Sequence, residues 1–195
     1  MKPEKKALDL GCGNVPWNGT GLLEFDGKII HADLENVPAA DVVFDAGKKF
    51  PFPDNEFDVV YCSHTLEMVG DFRNAVEEIY RVLKPGGIFF CVATHYSSPK
   101  YWSDPFHRRA FASDSFRFTY PDSKPGKAGG NPQKGVNELS HYSGARFELL
   151  DLDFSMRLGS LLKWIVKPFF GFYEYWLSTK LFPVWNLRLK FRAVK

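Results

Sequence analysis

The stretch Ala7-Leu8-Asp9-Leu10-Gly11-Cys12-Gly13 holds the first residues equipped for chemistry. An apolar run carries one carboxylate, Asp9, and then breaks into Gly-x-Gly. This pattern predicts a buried parallel strand feeding a turn where main chain and ligand approach closely. Glycine permits the tight turn, and its missing side chain leaves room for a nucleoside moiety against the backbone. Asp9, buried near the strand's end, needs partners that loop amides or a cationic ligand would supply. About twenty positions further on, Asp33 closes a second apolar run, Lys28-Ile29-Ile30-His31-Ala32, where a carboxylate suits two ribose hydroxyls. Ser63 and His64 follow another run, Phe57-Asp58-Val59-Val60-Tyr61-Cys62, at the end where open parallel sheets place their ligands.

The elements that must position these groups are short and closely spaced. A third strand is expected at Asp41-Val42-Val43-Phe44, ending in Asp45-Ala46. Only Glu35 to Ala40 separates it from the second, too little for a crossover helix. Asn14 to Gly27 holds Pro16 and three glycines, which argues against a long helix there. Asp71 is a candidate N-cap for a helix running to about Leu83, with Phe72, Val76, Ile79, Tyr80 and Leu83 on one face. Lys84-Pro85-Gly86-Gly87 should stop it, and Ile88 to Ala93 reads as a fifth, buried strand. Arg146 to Phe154 reads as a strand, and Leu187 to Val194 alternates as a terminal one. Thr94 to Ala145 reads mostly as loop, with Pro121 to Gly135 the best candidate for disorder.

At 195 residues, with 45% apolar and 25% charged residues, the chain has the size and composition of one globular domain. A net charge of +2 does not suggest a nucleic-acid binder. The charge is uneven: from Arg157 onward eight cations face one acid, Glu174. Cys12, Cys62 and Cys91 lack metal-ligand spacing and cannot all pair, so a reduced, cytoplasmic chain is expected and no metal. Nothing before Ala7 reads as a signal peptide. Leu161 to Trp185 is apolar, yet charges and prolines interrupt it, so it does not read as a transmembrane helix.

Three segments resemble the class I S-adenosylmethionine-dependent methyltransferases, in the compact style of the type 11 group. Leu8 to Gly13 is similar to their first motif. Pro51-Phe52-Pro53-Asp54-Asn55-Glu56-Phe57-Asp58 resembles their approach to strand four, and Arg81-Val82-Leu83-Lys84-Pro85-Gly86-Gly87 their run into strand five. The resemblance implies an α/β, Rossmann-like, doubly wound sheet of seven mainly parallel strands with an antiparallel C-terminal strand. It implies S-adenosylmethionine as cofactor, leaving S-adenosylhomocysteine as product. Gly11, Cys12 and Gly13 would lie under its methionine part, with Asp9 near the amino group. Asp33 would take the ribose hydroxyls. Leu34 would pack on adenine, Asp45 and Ala46 would meet its exocyclic amine, and Ser63 and His64 would line the open side. One departure is Met68, where such relatives often carry histidine after Leu-Glu.

Methyl transfer from a sulfonium is an in-line displacement, so the protein mainly positions its reactants. A hydroxyl acceptor also needs a base, and the loop after strand five offers His95, Tyr96, Asp104 and His107. His107 would pair with Asp104 if the turn between them is helical. The same side chains could equally fix the loop's own shape. Cys62-Ser63-His64-Thr65 is not the motif of an enzyme methylating a base's exocyclic amine. Cys62 at a buried strand end does not suit a nucleophile. The expected architecture is one domain, 1–195, with a loop insertion at about 95–145 and an aromatic insertion at about 158–186 as a substrate cap. A dimer interface or an interfacial helix are the other readings of that insertion, the latter giving peripheral membrane contact through 161–185. The expected substrate is a small molecule or a glycan- or lipid-linked acceptor, methylated at oxygen. A non-catalytic cofactor-binding or scaffold protein is the alternative. A nicotinamide dehydrogenase is disfavoured because Pro16 stands where its third glycine belongs.

Overall fold

The computed structural model describes residues 4–120, 142–156, 166, 170–176, 178–179 and 183–195. Seven strands form one sheet: β1 Lys6–Leu10, β2 Lys28–Asp33, β3 Val42–Val43, β4 Phe57–Ser63, β5 Leu83–Thr94, β6 Phe147–Met156 and β7 Val184–Ala193. Helices are α1 Phe72–Val82, α2 Pro99–Ser103 and α3 Phe170–Trp176. The strand order is β3-β2-β1-β4-β5-β7-β6. Pairing is parallel from β3 through β5, and β7 runs antiparallel to both β5 and β6. This is the sheet expected from the sequence. Among the described residues no helix is long and apolar enough to cross a membrane. The expected disorder at Pro121 to Gly135 and most of the 158–186 insertion lie outside the described residues.

Registers align the carboxyl ends. Leu10 stands beside Ala32 on one side and Cys62 on the other, and Ser63 beside Val92. Chain order reverses between β1 and β4, which is where open sheets of this kind form a crevice.

The two faces are covered differently. On one, Leu8, Leu10, Val60, Cys62, Phe89 and Cys91 share a core with Val76 and Ile79 of α1 and with Phe111, Phe116 and Tyr120. On the other, the irregular 14–27 segment lays Trp17, Leu23 and Phe25 over Ala7, Ile29, Val59 and Tyr61. Trp17 stacks on Tyr61 at 4.6 Å between ring centroids, and Tyr61 on Phe90 at 5.8 Å. Aromatic area replaces the helix that the glycines and Pro16 forbid.

Helix α1 starts as expected, with Asp71 Oδ1 accepting the Asn74 amide at 2.9 Å. Its end differs from expectation. No loop intervenes before the next strand: Leu83 caps the helix and already pairs with Phe57, and Lys84 to Gly87 form an irregularity inside β5. Gly86 takes φ +76°, and a Cβ on Gly87 would meet Lys84 O at 2.9 Å. Glycines that suggested a stop therefore accommodate a bulge. Arg81 fixes the turn before β4. Its guanidinium bonds Glu78, Asp54 and the carbonyls of Phe50 and Phe52, fastening that turn to α1.

Phe89, fully buried, meets Phe116, Phe147 and Phe191 at 5.6–6.1 Å. Phe89→Ala should therefore lower unfolding free energy by about 3–5 kcal/mol in denaturant titration.

Candidate active site

At the end of β1 the Gly11 and Cys12 amides both donate to Ala32 O, at 2.8 and 3.0 Å. Gly11 holds φ +77°, and a Cβ there would fall 2.0 Å from Thr65 Oγ1. Conformation and space both demand glycine. Thr65 in turn donates to Leu10 O at 3.1 Å, tying the ends of β4 and β1. Gly13 differs: it has φ +54°, and nothing lies within 4 Å of where its Cβ would be. That open ground beside a left-handed backbone fits a ligand lying against the chain.

Asp33 sits across this ground. Its Oδ2 accepts the Gly13 amide at 2.8 Å and its Oδ1 the Glu35 amide at 3.1 Å. Each oxygen keeps a second lone pair, so the carboxylate is aimed and can still accept from a diol. Phe44 donates to Asp33 O at 2.9 Å, which brings the end of β3 alongside. There Asp45 accepts the Gly47 amide at 2.8 Å and lies 3.7 Å from Lys48, while Ala46 is buried. Leu34 is 61% exposed on the same edge. Asp33, Leu34, Asp45 and Ala46 are thus brought together.

Asp9 lies beneath the turn, 2% exposed. Its Oδ2 accepts the Trp17 amide at 2.8 Å and meets His31 Nδ1 at 3.1 Å. Burial raises its carboxyl above the ordinary range, and bonds from Trp17 and His31 only partly oppose this. A cationic ligand group would stabilise the ionised form. Cys12 and Cys62 are buried packing thiols, with burial pushing Cys62 up to about 12.

Ser63 ends β4 and His64 follows it at φ +55°. Its Nδ1 lies 3.3 Å from Glu67 Oε1 and 3.1 Å from Thr94 Oγ1. Glu67 is wholly buried and also accepts the Thr94 amide at 2.6 Å. Burial would raise its carboxyl, but the bonds from His64 and from backbone amides outweigh this and hold it below the ordinary range.

The residues expected to serve the acceptor, His95, Tyr96, Asp104 and His107, are bound into their own loop. The His95 ring is fully buried, with Nε2 3.0 Å from Glu174 Oε1 and Nδ1 2.8 Å from Ser97 Oγ. Tyr96 donates to Glu174 O. His107, mostly buried, has Nδ1 3.1 Å from Tyr101 O and Nε2 3.7 Å from Asp104. Helix α2 ends before Asp104, so that pair forms across a turn. Glu174, on α3, also accepts the Ser113 amide at 2.7 Å and the Ser113 hydroxyl. Sequence reasoning missed Thr65, Glu67 and Glu174 as positioning residues. Only Glu174 carried a signal, as the lone acid of a basic tail.

Residues 8–91, less than half of the chain, match the family model described as a methyltransferase domain. A demethylmenaquinone methyltransferase of Listeria monocytogenes serotype 4a (strain HCC23) is 38% identical over 117 residues, 51% of this chain and 49% of that protein. The chain spans about half the length of the curated relatives it matches. A solved S-adenosylmethionine-dependent methyltransferase from Archaeoglobus fulgidus superposes with TM-score 0.59 at 16% identity, covering 98% of this chain and 87% of that one. The [4+2]-cyclase SpnF superposes with TM-score 0.54 at 18% identity, over 98% and 75%. Residues 8–91 are therefore similar to a methyltransferase domain, and the strand order is that of the class I methyltransferase fold. The cyclase shows that the fold alone does not fix the reaction.

The raised carboxyl of Asp9 gives a stability test. A folded-state pKa above the unfolded 3.8 means the native state holds the proton more tightly. Asp9 then favours folding at low pH, and that contribution is lost as pH rises through the raised value. Asp9→Asn should raise Tm at pH 7 and lessen the fall of stability across the acid range, measured by thermal melts at graded pH.

Proposed function

We propose that the chain is an S-adenosylmethionine-dependent methyltransferase acting at oxygen on a small-molecule or glycan- or lipid-linked acceptor. The observation that carries this is the cradle at the β1–β4 crevice: open ground at Gly13, faced by aimed Asp33 and underlain by Asp9. Each feature fits one part of that cofactor. Gly11, Cys12 and Gly13 would lie along the methionine part, Asp9 would meet the ammonium, and Asp33 the ribose diol. Leu34, Asp45 and Ala46 would hold adenine, with Ser63 and His64 beside the reactive end. When bound, the cofactor supplies a methyl group on a sulfonium, ready for in-line displacement. The chain's own contribution is alignment, worth ~7–11 kcal/mol of barrier when reactants are well oriented.

The small-molecule acceptor class is supported by relatives named for demethylmenaquinone. The loop at about 95–145 and the insertion at about 158–186 form the acceptor's cover, supported by the bonds from Glu174 of α3 to His95 and Ser113. In this arrangement His95, Tyr96, Asp104 and His107 act as positioning residues that shape the cover. Phe172, 61% exposed on α3, supports peripheral membrane contact through 161–185.

Calorimetric titration with S-adenosylmethionine and S-adenosylhomocysteine should show micromolar binding. Asp33→Ala and Asp9→Asn should each weaken it by about 10–100-fold, the ~1.5–3 kcal/mol of a charge-assisted hydrogen bond. A folded wild-type protein that binds neither ligand would overturn the reading. Binding without transfer of labelled methyl to any acceptor would leave a scaffold instead.

A further inference from the structure

We propose that His64 is the general base of the transfer, held in one tautomer by the buried Glu67 carboxylate, and that the acceptor group is therefore a hydroxyl or phenol. This rests on the methyltransferase reading above. His64 is the most exposed of the described histidine rings: its side chain is 42% exposed, against 22% for His31, 8% for His107 and none for His95. Its backbone is left-handed, a conformation a non-glycine residue keeps only where surrounding structure imposes it. Here the His64 amide is pinned to Val92 O at 2.9 Å, between the ends of β4 and β5.

The ring has one buried edge and one open edge. Nδ1 faces Glu67 Oε1 and Thr94 Oγ1, so the exposed part is the edge bearing Nε2. The Glu67 carboxylate accepts the Thr94 amide and faces Nδ1 at 3.3 Å, as an acceptor. Paired with that carboxylate Nδ1 carries the proton, and in the neutral ring Nε2 offers its lone pair on the side away from Glu67. Glu67 is itself immobilised: Thr94 donates to its Oε1, and Arg108 donates to its carbonyl at 2.8 Å. Arg109 grips the carbonyls of Leu66, Val69 and Gly70 around it. Its Oε2 is buried with no hydrogen-bond partner among the described residues. A carboxylate so poorly solvated gains most when the imidazole facing it becomes cationic.

The step balances as follows. The acceptor's O–H proton passes to His64 Nε2, the oxygen lone pair forms the new carbon–oxygen bond, and the methyl–sulfur bond breaks to leave a neutral thioether. The proton then leaves to solvent from the exposed ring edge. Glu67 is a positioning residue that acts through His64.

Two readouts test this on the full chain. Ring 15N shifts of labelled histidine, assigned with His64→Asn, should show neutral His64 protonated at Nδ1, with Glu67→Gln redistributing the proton toward Nε2. A wild-type ring protonated at Nε2 overturns the dyad whatever the activity. Labelled-methyl transfer to benzyl alcohol, phenol, 4-nitrophenol and thiophenol gives the second readout. His64→Asn should lower kcat for the weakly acidic hydroxyls by ~10²–10⁴-fold at saturating cofactor, and the loss should shrink toward acceptors that ionise unaided. An undiminished kcat, or an equal loss at every acceptor acidity, overturns the base. Wild-type protein that transfers to none of the four while binding cofactor overturns the reading underneath, together with the base that rests on it.

Discussion

The contact on which the site depends is the one between Gly11 and Thr65. The ends of β1 and β4 approach so closely that a single added carbon on Gly11 would overlap the threonine side chain. Thr65 spends its hydroxyl on Leu10 O, so the approach is bonded as well as packed. This closes the crevice floor at the point where chain order reverses, and it sends Gly13 upward with its α-carbon facing open ground. Asp33 then has the Gly13 amide to orient it, and His64 has its backbone turned the unusual way by the same tight exit from β4. Thr65 therefore serves both turns at once, bonded to the end of β1 and packed against Gly11.

The cover over the second sheet face follows from the same economy. With no room for a helix between β1 and β2, Trp17 does two things. Its ring lies on Tyr61 and seals the apolar face, while its amide satisfies Asp9 beneath the turn. The packing of an aromatic loop and the charge state of a site residue are thereby coupled. Burial that stabilises the sheet is also what makes the Asp9 carboxylate costly when no cation faces it. Stability is given up where a ligand can restore it, a common arrangement at binding sites.

Most of the sheet was legible because its strands are short apolar runs with single, well-placed breaks, and because Asp33 and Gly11–Gly13 have a spacing with a mechanical meaning. What was illegible was mostly non-local. Lys84 to Gly87 has the composition of a stop, yet Leu83 pairs with Phe57 before the glycines, and no local pattern reports that partner. The third strand shrinks to Val42–Val43 because it lies at the sheet edge with only β2 to pair. His95 was expected at the active-site edge because it lies two residues past the strand read from Ile88 to Ala93. Its burial depends on Glu174, 79 positions away. Glu67 was hidden by an ordinary-looking Leu-Glu pair, its meaning supplied by Thr94 on a neighbouring strand.

These distant bonds divide the molecule into two regions of different construction. The donor side is built from backbone: carbonyls, amides and glycine conformations fixed by strand register, with Asp33 and Asp9 oriented by main-chain donors. The loop after β5 is held by side chains instead, the Glu174 carboxylate meeting His95 and Ser113 while the Glu174 carbonyl accepts the Tyr96 hydroxyl. Backbone geometry tolerates substitution of most side chains around it, whereas a side-chain network changes whenever one member does. A fold divided this way can keep its strand-end turns while the segments packed around them are rebuilt, consistent with one architecture serving methyltransferases and a [4+2]-cyclase. His64 and Glu67 stand at the boundary, their backbone set by β4 and their ring pairing set by β5. A proton acceptor belongs at that boundary, where position must be as fixed as the cradle yet reachable by whatever the cover admits.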